Sequence, residues 1–262
     1  VLRIEGNVDI KALETAFKNV IERHEVLRTV FLQHDDEVCQ KVISAEQWEL
    51  EFDGNTINNI ENEIQKLINK PFDLSRDYVL RASVLSSGKN EYILVLVVHH
   101  IASDGWSTTI LVNEVIENYT AISQGKSKKT KPLPLQYSDV ALWQRKYLQG
   151  EFLEKKLHYW KNQLSDSEPL DLPIDKKRPG ILTTHGASLS FSLDKASTQR
   201  ISDYSNAQGS TLFMNLLAVF KLILHKYSNQ KNICIGIPIA GRFQKETEVL
   251  IGNFINTLAI NT

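Results

Sequence analysis

Cysteine is nearly absent: Cys39 and Cys234 are the only two in 262 residues, far apart and in no CxxC spacing. That excludes a zinc ribbon and a disulfide framework, and each thiol is expected to be buried in a reducing compartment. Neither sign of charge is in excess, since 30 Lys and Arg stand against 31 Asp and Glu. No global basic field is available to draw nucleic acid, and no acidic excess points to a disordered tail. No apolar run reaches the ~18 residues of a membrane span, and the opening VLRIEGNVDI lacks the pattern of a signal or transit peptide. The expectation is a cytoplasmic chain with neither nucleic acid nor membrane among its partners. Also missing are a GxSxG elbow and the glycine-rich GxxxxGK(S/T) and GxGxxG loops, which removes the usual serine nucleophile and nucleotide cradles.

What is present is an ordinary globular composition, 42% hydrophobic and 23% charged, enough for one large domain or two small lobes. VLRIEG reads as a strand already under way, and NTLAINT at the other end as one just entered. Asp9 is placed to cap a helix whose Leu13, Phe17, Val20 and Ile21 share one face. EVLRTVFLQ and VCQKVI form a hairpin about the polar HDDE. A second helix carries Ile57, Ile60, Ile64, Leu67 and Ile68 on one side and is ended by Pro71. YVLRASVL and EYILVLVV then make a second hairpin across SSGKN, with Gly88 as the flexible position. The pattern changes to helical period from Ser107, with Ile110, Leu111, Val115, Tyr119 and Ile122 apolar. After a lysine-rich loop, SQGKSKKTKPLPL, come helices in SDVALWQRKYLQG and EFLEKKLHYWKNQL. The proline-rich segment around residues 165 to 180 reads as a linker. Beyond it a strand HGASLSFSL, a helix STLFMNLLAVFKLILHKYS and a strand ICIGIPIAG open a second lobe. The expected fold is mixed α/β with a mixed sheet in two lobes, residues 1–170 and 171–262.

The chemistry gathers where EYILVLVV ends in two histidines. A strand apolar on both faces belongs inside a sheet covered by helices. Pleat alternation puts His99 on the side of Val95 and Val97, and His100 with Leu96 and Val98. The pair is therefore poorly placed to ligate one metal, and no third ligand stands at a recognised spacing. A neutral imidazole is costly to bury unless both nitrogens are used, so a pair at a strand end implies that one is positioned for a purpose. Asp104 follows four residues after His100, beside a helix start that favours negative charge, and Gly105 allows close backbone approach.

HHIASDG, residues 99 to 105, is similar to the HHxxxDG signature of condensation domains of nonribosomal peptide synthetases, within the acyltransferase group that resembles chloramphenicol acetyltransferase. Companion motifs follow in the family's order: RHEVLRTVF at 23–31, YSDVALWQ at 137–144, YWKNQL at 159–164, LPIDKKRPG at 172–180, HGASLSFSL at 185–193 and IGNFINTLAIN at 251–261. The resemblance implies a two-lobed chloramphenicol acetyltransferase-like fold, with the family's opening motif expected upstream of Val1 and its later motifs beyond Thr262. An isolated chain would then expose a sheet edge and apolar surface.

The resemblance also implies the activity: amide-bond formation between a donor acyl or peptidyl thioester and the amine of an acceptor aminoacyl thioester. Both are carried on 4'-phosphopantetheine arms of upstream and downstream carrier proteins, with an adenylation domain adjacent in the same polypeptide and no directly bound cofactor. The implied catalytic set is His100, His99, Asp104 and Gly105. His100 acts on the attacking amine, as general base or by positioning it, where the two lobes meet, while His99 faces away and supports the site. Asp104 is expected in a salt bridge to Arg28 of RHEVLRT. Asn256, Trp106 and Ser103 are assigned to the substrate channel. SDGWS resembles the subtype that joins an L-configured donor, since Thr108 and Thr109 stand where epimerisation domains tend to have a further Trp-Arg. Two alternatives accompany this reading: a carrier-binding fragment without turnover, and an epimerisation domain of the same family.

Overall fold

The structure, a computed structural model, describes residues 1–57, 59–126, 131–181, 183 and 186–262, and leaves the side chains of 55 and 56 undescribed. They pack into two compact units, Val1–Phe152 with Ile239–Asn256, and Leu153–Pro238 with Thr257–Thr262. The first unit thus takes in a segment, 239–256, that the sequence places in the second lobe.

In the first unit, strand β1 (Leu2–Glu5) leads to helix α1 (Ile10–Arg23), capped by Asp9, whose carboxylate accepts the Ala12 N–H at 3.0 Å. Leu13, Phe17, Val20 and Ile21 are all buried, so the helical spacing identified the core face. EVLR, expected as strand, is a short 3₁₀ turn, and the hairpin proper is β2 (Thr29–His34) with β3 (Glu37–Val42). β3 is exposed along its whole length, which leaves Cys39 at the surface rather than buried. Cys234 is half-buried, and both thiols are free.

Strand β4 (Glu51–Thr56) and helix α2 (Ile60–Asn69) follow, the helix capped by Asn59 and stopped just before Pro71. Asn58 of the expected helix start lies outside the described residues. Strands β5 (Leu80–Gly88) and β6 (Glu91–Val98) form the second hairpin; Gly88, expected as its flexible position, is the last residue of β5, and Asn90, at φ 59°, takes the left-handed conformation in the turn. The sheet order is β1-β6-β5-β4, antiparallel except for the parallel β4/β5 pair, so β6 is an interior strand. Phe17 packs on Trp48 at a ring distance of 5.5 Å, and the Trp48 indole N–H reaches the Leu80 carbonyl at 2.9 Å. Helix α3 (Gly105–Ser123) starts two residues ahead of the period change at Ser107. Helix α4 (Tyr137–Tyr147) and the start of α5 (Gly150–Gln163) complete this unit's helices. Residues 127–130 of the lysine-rich loop are outside the described set.

The second unit holds the rest of α5, helices α6 (Lys195–Ala207) and α7 (Leu212–Ser228), and all but the end residues Ile239 and Asn256 of the β7 (Cys234–Ile239) and β8 (Asn256–Asn261) pair. Helix α6, with its Asp194 cap, is not visible in the apolar pattern because its sequence is mostly polar. The expected strand HGASLSFSL is not formed: His185 lies outside the described residues, and 186–193 are irregular with Leu189 and Phe191 exposed. Its alternation is strand-like, but among the described residues no neighbouring strand takes up its backbone groups. Helix α7 also leaves Phe213, Met214, Phe220 and Leu222 exposed.

Candidate active site

The β6 strand delivers both histidines to a turn at its end. The His99 N–H still bonds the Val79 carbonyl at 2.8 Å, and the His99 carbonyl accepts from Ala102 at 3.0 Å, which folds HHIA back towards α3. The His99 ring is held from both sides: its Nδ1 accepts the Ile101 N–H at 3.1 Å, and Phe72 meets it edge-on at 5.6 Å. Arg81 stacks on the same Phe72, its guanidinium carbon 3.8 Å from the ring centre. His100 is exposed, and its side chain makes no hydrogen bond among the described residues. The two imidazoles therefore differ in kind, one fixed in place and the other open to solvent.

Asp104 is the N-cap of α3 and is buried, its side chain 1% exposed. Oδ1 accepts from the Ser107 N–H at 2.8 Å and lies 2.6 Å from the Ser107 hydroxyl, while Oδ2 accepts from the Phe254 N–H at 3.1 Å. One Nη2 of Arg242, itself 2% exposed, bridges both carboxylate oxygens at 3.1 and 3.2 Å and donates to Ser107 Oγ at 3.0 Å. Burial pushes the Asp104 carboxyl up, but the Ser107 and Phe254 hydrogen bonds and the Arg242 charge outweigh it and hold the group below its usual value. The other Nη of Arg242 donates to the carbonyls of Thr247 and Leu250, and its guanidinium lies 4.1 Å from the Phe254 ring centre. Arg242 Nε is buried with no partner among the described residues.

This corrects the partner expected for Asp104. Arg28 lies in the turn after α1, where its guanidinium donates to the carbonyls of Ile21, Glu22 and Ile43 at 3.2, 3.2 and 2.8 Å. It satisfies the orphan carbonyls at the end of α1 and pairs loosely with Glu22 at 3.6 Å. Arg242 stands 138 residues from Asp104, too far for any local pattern to connect them. The signal it did carry is the pair Gly241-Arg242 directly after an apolar strand.

Segment 239–256 is fastened to α3 through Ser107 and Gly252 and to α4 through Tyr137. Ser107 Oγ lies 2.9 Å from the Gly252 carbonyl and accepts its N–H at 3.1 Å, and the Tyr137 hydroxyl donates to the Asn253 carbonyl at 2.9 Å. Burial, reinforced by the nearby Asp104 charge, raises the Tyr137 phenol above its usual value and keeps it a donor. Gly241 sits at φ 66°, and a Cβ there would come 1.9 Å from the Phe254 carbonyl oxygen. Gly241→Ala is therefore expected to destabilise the chain by about 1–3 kcal/mol, measured by denaturant titration; an unchanged midpoint would contradict the packing described.

The remaining expected site residues are placed as follows. Gly105 is the first residue of α3, exposed, and a Cβ on it would meet nothing within 4 Å. Ser103 is buried, with its hydroxyl 3.4 Å from the Asp104 carbonyl. Trp106 is half-exposed and donates its indole N–H to the Glu248 carbonyl at 3.0 Å. Asn256 is exposed at the start of β8. The structure thus gathers His99, His100, Ser103, Asp104, Gly105 and Trp106 in one turn and helix start. Sequence reasoning missed Ser107, in the first turn of α3, and Arg242, Gly252 and Tyr137, which come from outside it. Among the described residues no cluster of three or more His, Cys, Asp or Glu is arranged to hold a metal ion, and no single helix is long and apolar enough to cross a membrane.

Comparison with known proteins places the fold and the family. The chain is 41% identical to a component of the linear gramicidin synthase of Brevibacillus parabrevis, over 100% of this chain and 5% of that protein. It is 35% identical to gramicidin S synthase 2 of Aneurinibacillus migulanus, over 99% of this chain and 6% of that one, so it spans a small part of these curated relatives. Among solved structures, the X-domain from teicoplanin biosynthesis superposes with a TM-score of 0.90 at 26% identity, covering 99% of this chain and 59% of that one. The epimerization domain from the third module of tyrocidine synthetase B gives 0.84 at 21% identity, covering 99% and 60%. The mixed α/β, chloramphenicol acetyltransferase-like fold is common to these neighbours. The family model described as Condensation domain matches residues 1–262, the whole chain, and the chain belongs to that family.

Proposed function

We propose that this chain forms the site of an acyltransferase that joins a donor acyl or peptidyl thioester to the amine of an acceptor aminoacyl thioester, with His100 acting on the amine. The observation that carries the reading is the contrast at the turn: an exposed imidazole with no hydrogen bond among the described residues, next to a carboxylate wholly engaged in anchoring. His100 is left free for substrate, and Asp104 serves as the support. His99 keeps the turn in shape, and Ser103, Trp106 and Asn256 lie along the approach of the substrates.

The chemistry is thioester aminolysis. The amine nitrogen attacks the carbonyl carbon, the C–N bond forms and the C–S bond breaks; the amine proton passes to His100 and then to the departing thiolate. A neutral imidazole is a suitable acceptor as the C–N bond forms and the nitrogen becomes acidic. Holding the two reactants together is worth up to ~7–11 kcal/mol in favourable cases, and excluding water protects the thioester from hydrolysis. No acyl-enzyme is needed.

The thioesters are carried on 4'-phosphopantetheine arms of upstream and downstream carrier proteins, as substrates rather than a resident cofactor. In this reading the complete domain has lobes dividing near residue 170, an adenylation domain lies in the same polypeptide, and the protein works in the cytoplasm. The test is direct: load donor and acceptor carriers, add the domain, and follow transfer by mass spectrometry. Appearance of the condensed product on the acceptor carrier is the expected result. Solvent deuterium entering the donor α-carbon with no amide formed would instead assign epimerisation.

A further inference from the structure

His24 is buried, 1% exposed, and has both ring nitrogens engaged by elements other than its own. It ends α1, yet Nε2 lies 3.1 Å from Glu114 Oε2 on α3, and Nδ1 accepts the Ile251 N–H at 3.4 Å. The other carboxylate oxygen of Glu114 takes the Arg23 Nε–H at 3.1 Å, which offsets its charge. Paired with Arg23, the Glu114 carboxylate is an acceptor towards His24 Nε2. A backbone N–H aimed at Nδ1 and a carboxylate at Nε2 together select one neutral tautomer, with the proton on Nε2.

Ile251 is followed by Gly252 and, two residues on, by Phe254. Gly252 exchanges bonds with Ser107, and Phe254 donates to Asp104, so a shift at Ile251 is transmitted to the Asp104 cap and to the turn bearing His100. We propose that His24, fixed as its Nε2–H tautomer by Glu114, is a positioning residue that sets segment 239–256, and through it the Asp104 anchor of the His100 turn. This rests on the function proposed above, since the turn is the site named there. The role explains why the buried ring carries two directed polar contacts where an apolar side chain would fill the same space with no need of them.

Asparagine and glutamine separate the two nitrogens. Asn places an acceptor near the Nδ1 position, and Gln reaches the Nε2 position. In the full-length protein with loaded carriers, His24→Asn is expected to keep most of the turnover. His24→Gln is expected to lower kcat by about tenfold to a hundredfold with the acceptor KM unchanged, and to speed hydrogen exchange at the Ile251 and Gly252 amides. Equal turnover for the two variants would overturn the proposal. In the unsubstituted protein, ¹⁵N shifts of labelled histidine should show His24 protonated on Nε2 alone; a proton on Nδ1 would also overturn it, whether or not either variant folds. Absence of amide product from the unsubstituted protein would count against the proposed function alone, because tautomer and exchange are read without turnover.

Discussion

His100→Ala is expected to lower kcat/KM for amide formation by about 10²–10⁴-fold, the range that a positioned proton acceptor supplies, and to leave the melting temperature where it was. The second half follows from the structure. His100 is exposed and makes no hydrogen bond among the described residues, so its loss strands no buried group and opens no cavity. His100→Gln then divides the two roles. An amide side chain can hold the amine by a hydrogen bond but cannot take up its proton, so near-complete rescue by Gln assigns positioning, and a loss equal to that of Ala assigns the base. Single-turnover measurement with preloaded carriers keeps product release from masking the step. His99→Ala should differ from both: it removes the Ile101 N–H acceptor and the Phe72 edge contact, which loosens the turn and moves stability and rate together. Full activity for His100→Ala would remove the central residue of the reading.

Much of this was legible because it was local. The Asp9 cap follows from its residue type ahead of an apolar-periodic run, the Phe17 and Ile21 face from the period of 3.6, and the β5/β6 hairpin from two apolar runs about a polar turn; the pleat argument for His99 and His100 does not reach them, because β6 ends at Val98 and both lie in the turn beyond it. The failures share a different cause. Helix α6 is polar and carries no apolar stripe. HGASLSFSL alternates like a strand, yet a strand is defined by its neighbour, which the described residues do not supply. Asp104 was read as ionic and given Arg28, the arginine of a nearby motif. The fold instead spends Arg28 on the carbonyls closing α1 and brings Arg242 from far along the chain. Sequence shows which group must be paired when buried. Only the topology shows with what.

That pairing carries the largest expected effect on stability. Arg242→Met is expected to cost about 3–5 kcal/mol, because it leaves the buried Asp104 carboxylate without its cation while the Ser107 and Phe254 donors remain. In a chain of this size that corresponds to a fall in Tm of roughly 6–20 °C. Asp104→Leu is expected to be as severe, since it strands the Arg242 guanidinium and removes the α3 cap together. The double substitution should cost less than the sum of the two, the shortfall measuring the coupling between them. The pH dependence has a definite sign. The folded Asp104 carboxyl is held below its ordinary value of 3.8, so its contribution is complete above that value and is lost as pH falls through the lower, folded one. Asp104→Asn should therefore be less stable at neutral pH and show a flatter loss of stability on the acid side. Arg28→Met should leave that acid limb unchanged, because Arg28 bonds the carbonyls of Ile21, Glu22 and Ile43 and not Asp104. Denaturant melts of Asp104→Asn and Arg28→Met between neutral and acid pH decide it: an acid limb that flattens with Arg28→Met and not with Asp104→Asn would reverse the assignment.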